Sequence, residues 1–223
     1  LVDLRRHGDS LSPEGPDDLE HCALDLVKLA HALPMPVRGV VGHSFGGKVA
    51  LAWLAREDTD CQEAWILDSL IGPRREDAPR AQVDDVVDFL EGIIKSEPDG
   101  FEKRETFSAK VVAAGFSPEI ADWLAMNLRA SGDGKRRFSV SIPAIRSLLA
   151  SYATLDGWPI LEKTRAQTHL VVAGRANTFT PDDRAHAFVL SERNTNVHVH
   201  LLEDAGHWVH IDAPDQLLAL MTR

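Results

Sequence analysis

The sequence predicts an α/β protein, a mostly parallel sheet flanked by helices with an inserted helical segment, and three observations carry that prediction. Apolar, strand-like runs at 1–5, 37–42 and 63–69 alternate with helical patterns at about 18–33 and 44–57, the order expected of strand–helix–strand units. From Pro73 to about Lys163 no strand pattern occurs. The alternation then resumes, with strands at 168–174 and 197–203 separated by a helix at about 182–192.

Each element has a local reason. Residues 1–5 read as a short buried strand closed by His7-Gly8-Asp9-Ser10, and a loop rich in proline and glycine follows. Asp17 or Asp18 can cap a helix in which Leu19, Cys22, Leu26, Leu29 and Leu33 recur at helical spacing, and Pro34 and Pro36 stop it. "VRGVVG" predicts a buried strand, "SFGGKVALAWLARE" the helix behind it and "EAWILDS" the next strand. Inside the insertion one helix is expected over 80–97, with Val83, Val86, Val87, Leu90, Ile93 and Ile94 on one face. Ser117 as N-cap and Pro118 at the first helical position open a second, over 117–130. A third runs over 141–155 with Pro143 in its first turn, and polar loops such as "SGDGKRR" lie between. Beyond Pro181, Asp182 or Asp183 caps the next helix; a loop at 204–212 and a closing helix from Pro214 complete the chain. The reading is one domain, with a core of 1–72 and 161–223 and a helical lid at 73–160.

Composition excludes several classes. Hydrophobic residues make up 44% of the 223, enough for a real core. The formal net charge of −10 argues against nucleic acid or an anionic membrane as the main partner. Cys22 and Cys61 lack CxxC spacing, and such sparse usage suits a reducing compartment. No apolar stretch reaches the ~18 residues needed to span a bilayer.

Gly42-His43-Ser44-Phe45-Gly46 fits G-x-S-x-G with a strand before it and a helix after it. A strand reversing directly into a helix holds its apex residue in a strained conformation, and small residues two positions to either side avoid collisions. That lifts the Ser44 hydroxyl out at the carboxyl ends of the strands, where doubly wound sheets bind ligands. The Phe45 amide, at the helix N-terminus, is placed to face an oxyanion. A bland alternative is a tight strand–helix connection marked by glycines; both flanks and Gly47 favour a nucleophile. Serine needs a base. Of the 10 histidines, His207 sits in the loop between the last strand and the last helix, on the edge where Ser44 projects. His43 precedes the apex, and its side chain is expected to point away from the Ser44 pocket. His198 and His200 alternate with apolar residues and read as a strand face, since no third ligand suggests a metal site. His21, His31, His169 and His186 read as ordinary surface or helix residues.

These motifs resemble the α/β-hydrolase superfamily. "VDLRRHGDSLSPEG", "VVGHSFGGKVAL", "ILDSLIGP", "AGRANTF" and "EDAGHWVHIDAPD" together resemble the subgroup of α/β-hydrolase domain-containing protein 11 and small bacterial esterases. Arg6 and Phe45 depart from its usual asparagine and methionine, and the likeness is weak over 73–160. The resemblance implies an α/β-hydrolase fold and a Ser-His-acid triad. In most members the acid follows the strand after the lid. The register from Gly174 to Pro181 places Asn177 there, which is not ionisable. Some members carry the acid at the end of the preceding strand, which points to Asp68, with Asn177 as a helper and His43 in support; the alternative for Asp68 is a cap for the lid's first turn. The resemblance further implies that strands and a loop with a second oxyanion amide precede Leu1. The chain is therefore expected to be a fragment with its first strands missing and a gap in the sheet between 1–5 and 37–42. It is expected to be poorly stable and nearly inactive alone, and near full-length activity of the purified chain would refute that.

The expected chemistry is hydrolysis of carboxylic esters, with lipid esters or thioesters as variants, by Ser44, His207 and Asp68 through an acyl-enzyme, with no metal or cofactor. Pocket candidates are Phe89, Leu90, Ile93, Trp123, Leu124, Tyr152 and Trp158, whose bland reading is core packing. Alternatives are other chemistry on the same fold (C–C hydrolase, haloperoxidase-like or lyase) and a non-catalytic ligand-binding protein. The partner is a small-molecule ester or lipid, not nucleic acid; oligomeric state is open. Relatives implied by the resemblance are mitochondrial or cytoplasmic.

Overall fold

The computed structural model describes residues 1–10, 14–75 and 82–222. In chain order the elements are α1 (Leu19–Ala32), β1 (Gly39–His43), α2 (Phe45–Leu54), β2 (Glu63–Leu67), α3 (Gln82–Ser96), α4 (Arg104–Ala113), α5 (Pro118–Ala125), β3 (Leu128–Ala130), β4 (Arg136–Phe138), α6 (Ile142–Thr154), α7 (Trp158–Lys163), β5 (Gln167–Ala173), α8 (Pro181–Arg193), β6 (Val197–Leu202), α9 (Val209–Asp212) and α10 (Pro214–Met221). They fall into two compact units: residues 1–17 with 77–148, and 18–76 with 149–223. This division differs from the expected core of 1–72 and 161–223 with a lid at 73–160. The reason is visible around α7, where Trp158 and Leu161 pack into one apolar cluster with Ala50, Leu51, Ile71 and Leu170 of the second unit.

The second unit is built on a four-stranded parallel sheet in the order β1-β2-β5-β6. Alternation of side chains across the pleat sends residues to both faces. On one face Ile66, Leu170, Val172 and Val197 pack against Ala50 and Leu51 of α2 and Ala187 and Leu190 of α8. On the other, Trp65, Leu67, Val171, Ala173 and Leu202 pack against Ala205, Val209 and Leu217. Asp18 caps α1, its carboxylate accepting from the His21 N–H, and α8 opens on a capping box between Thr180 and Asp183. The α1 stripe is buried at Leu19 and Cys22, while Leu29 and Leu33 are exposed. Among the described residues β1 has one ladder partner, β2, and Val41 on it is 54% exposed.

The first unit holds α3, α4, α5, α6 up to Leu148 and a short antiparallel pair, β3 and β4. Its interior gathers Val86, Val87, Leu90, Ile93, Phe107, Val111, Leu124 and Leu128. Phe107 meets Phe101 and Phe138 edge to face at 5.3 and 5.1 Å.

Four expectations need correction. Residues 1–5 form no strand: Leu1 and Val2 are exposed, and the chain turns back on itself through His7 N–H to Leu4 O and Arg6 N–H to Ser10 O. The insertion is not strandless: the polar "SGDGKRR" stretch is a hairpin turn, with Gly134 at φ 81° and Ser131 N–H bonded to Lys135 O. The helix expected over 117–130 ends at Ala125, because Leu128–Ala130 is taken into that hairpin. Helices α4 and α7 lay outside the expected set; α4 carries only Phe107 and Val111 as buried residues, too sparse a stripe to read as periodic. The start of the helix expected over 80–97 lies partly outside the described residues.

Candidate active site

Strand β1 ends at His43 and α2 begins at Phe45, so Ser44 alone makes the reversal. It adopts φ 52° and ψ −116°, a conformation that costs an L-residue on the order of 1–3 kcal/mol. Its N–H is tied to Leu67 O at 2.9 Å, and its carbonyl accepts from Gly47 N–H at 3.0 Å. Two of the glycines are sterically enforced. A Cβ on Gly42 would lie 2.2 Å from Gly46 O, and one on Gly47 would lie 2.4 Å from Ser69 Cβ. Gly46 has open space where a Cβ would go, so the small residue two after Ser44 is not required to avoid a collision.

Asp68 immediately follows β2, at φ 39° and fully buried. A buried carboxylate must have partners, and this one has them. Oδ1 accepts from Ala173 N–H at 3.1 Å, and Oδ2 accepts from the Thr178 hydroxyl at 2.7 Å. Oδ2 also lies 2.7 Å from His207 Nδ1. The other ring nitrogen of His207, Nε2, is 3.0 Å from Ser44 Oγ. A carboxylate can only accept, so Nδ1 carries the proton and Nε2 presents its lone pair to the serine hydroxyl. Ser44, His207 and Asp68 thus form one continuous hydrogen-bonded line, all within the second unit. Its geometry suits removal of a proton from Ser44 Oγ and retention of the resulting imidazolium beside a negative charge.

His207 is held from behind. Its carbonyl accepts from His43 Nε2 at 2.7 Å, and the neighbouring Gly206 N–H donates to Asp212 Oδ2 at 2.8 Å. Burial is the largest influence on His43 and pushes its imidazole down to about 4, so the ring is neutral at pH 7. His43 therefore points to the His207 loop from behind and steadies it.

The expected helper Asn177 is corrected. Asn177 is exposed, and it is its neighbour Thr178 that donates to Asp68 and lies 3.3 Å from His207 Nδ1. Nothing in the "RANTF" stretch distinguishes the two adjacent polar residues until the loop's turn is known. Phe45 opens α2, which sets its amide at the helix N-terminus beside Ser44. Of the pocket candidates, Tyr152 stacks on Phe45 at 5.8 Å. Trp158 is instead buried in the core of the same unit and stacks on His186 at 4.2 Å. Phe89, Leu90, Ile93, Trp123 and Leu124 belong to the other unit. There Leu90, Ile93 and Leu124 are interior side chains rather than pocket lining, and Phe89 packs edge to face with Phe116 at 5.3 Å.

His198 and His200 do lie on a strand face, and His169, expected to be ordinary, joins them. His169 stacks on Trp65 at 3.9 Å, and its Nδ1 is 2.9 Å from His200 Nε2. The rings lie nearly parallel instead of converging, and among the described residues no group of three or more histidine, cysteine or acidic side chains is arranged to hold a metal ion. No helix among the described residues is long and apolar enough to cross a membrane.

Comparison with known proteins bears on the family and the fold. The chain is 28% identical over 231 residues to "Esterase YbfF" of Escherichia coli strain K12, an alignment covering all of this chain and 80% of that protein. It is 26% identical over 226 residues to "N-formylmaleamate deformylase" of Pseudomonas putida KT2440, covering 98% of this chain and 75% of that protein. A solved "Marine microorganism esterase" superposes with a TM-score of 0.81 at 19% identity, covering 98% of this chain and 81% of that one, which is likeness of fold. The sequence profile of the alpha/beta hydrolase family matches residues 1–220, and the chain belongs to that family.

Proposed function

We propose that this protein is a serine hydrolase of carboxylic esters, with Ser44 as nucleophile, His207 as general base and acid, and Asp68 orienting the imidazole. The observation that carries the reading is the unbroken line from Ser44 Oγ to His207 Nε2 at 3.0 Å and from His207 Nδ1 to Asp68 Oδ2 at 2.7 Å. The esterase relatives support hydrolase activity at the coarser level.

In this reading Ser44 Oγ attacks the acyl carbon while His207 Nε2 takes its proton, and the Nδ1–H bond to Asp68 strengthens as positive charge grows on the ring. The carbonyl oxygen becomes an oxyanion facing the Phe45 amide at the N-terminus of α2. Collapse breaks the C–O bond; His207 returns the proton to the departing alkoxide. Water, deprotonated by the same imidazole, then clears the acyl-enzyme. Thr178 gives Asp68 a second hydrogen bond that keeps its Oδ2 turned to the ring.

The test is steady-state hydrolysis of p-nitrophenyl esters of rising chain length. Turnover that Ser44→Ala abolishes while retaining the fold is the expected result. Undiminished turnover in Ser44→Ala would overturn the reading. A formamide substrate run alongside distinguishes an ester preference from the C–N cleavage named for the deformylase relative.

A further inference from the structure

Lys48 lies one turn of α2 beyond Ser44, and its side chain is completely buried. Buried ammonium groups ordinarily pair with a carboxylate, because an unpaired charge in the interior is strongly unfavourable. Lys48 does something else. Its Nζ donates to three backbone carbonyls, Gly72 O at 2.8 Å, Tyr152 O at 2.6 Å and Leu155 O at 2.8 Å. Three N–H donors meet three acceptors, so the cation is saturated with no anion in contact among the described residues. Asp156 favours the charge from further off, while burial, the larger influence, pushes the amine down to about 8.

The carbonyls come from two segments of the same unit, one just after β2 and one at the end of α6. Those segments are also joined directly, by Gly157 N–H to Ile71 O at 2.8 Å and Arg74 N–H to Ala153 O at 2.7 Å. A tie between segments alone would not need a lysine there. The second contact is more telling: Nζ lies 4.7 Å from the centre of the Tyr152 ring, a cation–π distance. The same ring stacks on Phe45 at 5.8 Å with 23° between planes. Lys48 therefore holds Tyr152 by its carbonyl and by its ring, and Tyr152 lies against the residue that follows Ser44.

Building on the acyl-transfer reading of Ser44, we propose that Lys48 is a positioning residue that fixes the Tyr152–Phe45 pair as a rigid aromatic wall beside Ser44, and so sets selectivity for the length of the substrate's acyl chain. A wall held from three sides offers a flat apolar surface at a constant distance from the reacting carbon. A loosened one lets the chain slide, so the penalty falls on longer acyl groups and on KM more than on kcat.

The experiment uses Lys48→Met, which keeps the stem and removes the donors and charge, against p-nitrophenyl esters from acetate to octanoate at pH 7. Expected is a rise in KM of about tenfold for the preferred chain length with kcat on acetate changed by less than about threefold, so that the chain-length profile flattens. Tyr152→Leu flattens the profile in the same way, and Lys48→Met adds nothing further in that background. A folded Lys48→Met protein with the wild-type profile would overturn the proposal, as would an unchanged profile in Tyr152→Leu. Should Lys48→Met not fold, the wild-type profile is followed from pH 7 to pH 9. Lys48 loses a donor in that range; among the described residues Asp156 is the other ionisable group acting on it, and Tyr152→Phe controls for the phenol of the contacting ring, whose ionisation burial pushes upward. Chain-length selectivity that falls with rising pH supports the proposal; selectivity unchanged from pH 7 to pH 9 overturns it. A wild-type protein that neither labels with a fluorophosphonate nor cleaves any ester removes the Ser44 reading and this inference together. Labelling at Ser44 with an unaltered Lys48→Met removes the inference alone.

Discussion

At the scale of the residue, the site depends on three side chains whose hydrogen bonds leave little freedom. Asp68 is buried with three partners on two oxygens, and His207 has one ring nitrogen on Asp68 and the other on Ser44. Asp68→Asn replaces an acceptor with an amide that can force the wrong tautomer, and kcat should fall by roughly 10³–10⁴-fold with little change in KM, measured on a short ester. Thr178→Val removes one hydrogen bond to Asp68 and leaves the others, so kcat/KM should drop by only about tenfold. Equal losses in the two variants would show that Thr178 does more than orient. The juxtaposition of Ser44, His207 and Asp68 was legible because each follows or flanks a recognisable strand end. The choice between Asn177 and Thr178 was not legible, because it turns on the rotation of a loop by one residue.

At the scale of the element, the β1–α2 turn concentrates the local strain. Ser44 and Asp68 both adopt positive φ, held there by backbone bonds to Leu67 O and Val171 O. Gly42→Ala would drive a methyl into the backbone of Gly46, and the cost should be at least 2–3 kcal/mol, on the order of a large core defect, read as a lowered urea midpoint or loss of folded protein. Gly46→Ala meets open space and should be tolerated within about 1 kcal/mol by the same measurement. A Gly46→Ala protein as damaged as Gly42→Ala would contradict this account of the turn. The run "THLVVAG" announced its strand because both faces are largely buried and β-branched residues fill it, whereas "VRGVVG", expected to be buried, forms a strand with Gly39 and Val41 exposed, because β2 is its one ladder partner among the described residues. The strand expected at 1–5 is not formed because Leu1 and Val2 stay exposed and backbone bonds within residues 4–10 turn the chain instead, whereas β3 and β4 are three residues each, too short for alternation to register.

At the scale of the whole molecule, buried imidazoles tie stability to acid pH. His43 and His169 are both pushed down to about 4, chiefly by burial, whereas an unfolded histidine titrates near 6.5. Between those values the unfolded chain binds more protons than the folded one. The stabilisation is therefore fully present above about pH 6.5 and is lost as pH falls toward 4. The urea midpoint should decline from pH 7 to pH 4.5, and His169→Phe, which keeps a ring against Trp65, should reduce that decline; an unchanged slope would contradict it. The proposed chemistry turns on the site at Ser44. Its central claim, that one hydroxyl is activated by one imidazole, is tested most directly by following fluorophosphonate labelling of the intact protein by mass spectrometry. The account predicts a single adduct on Ser44, formed at least about 10³-fold more slowly in His207→Ala. An adduct elsewhere, or labelling of His207→Ala at the wild-type rate, would contradict it.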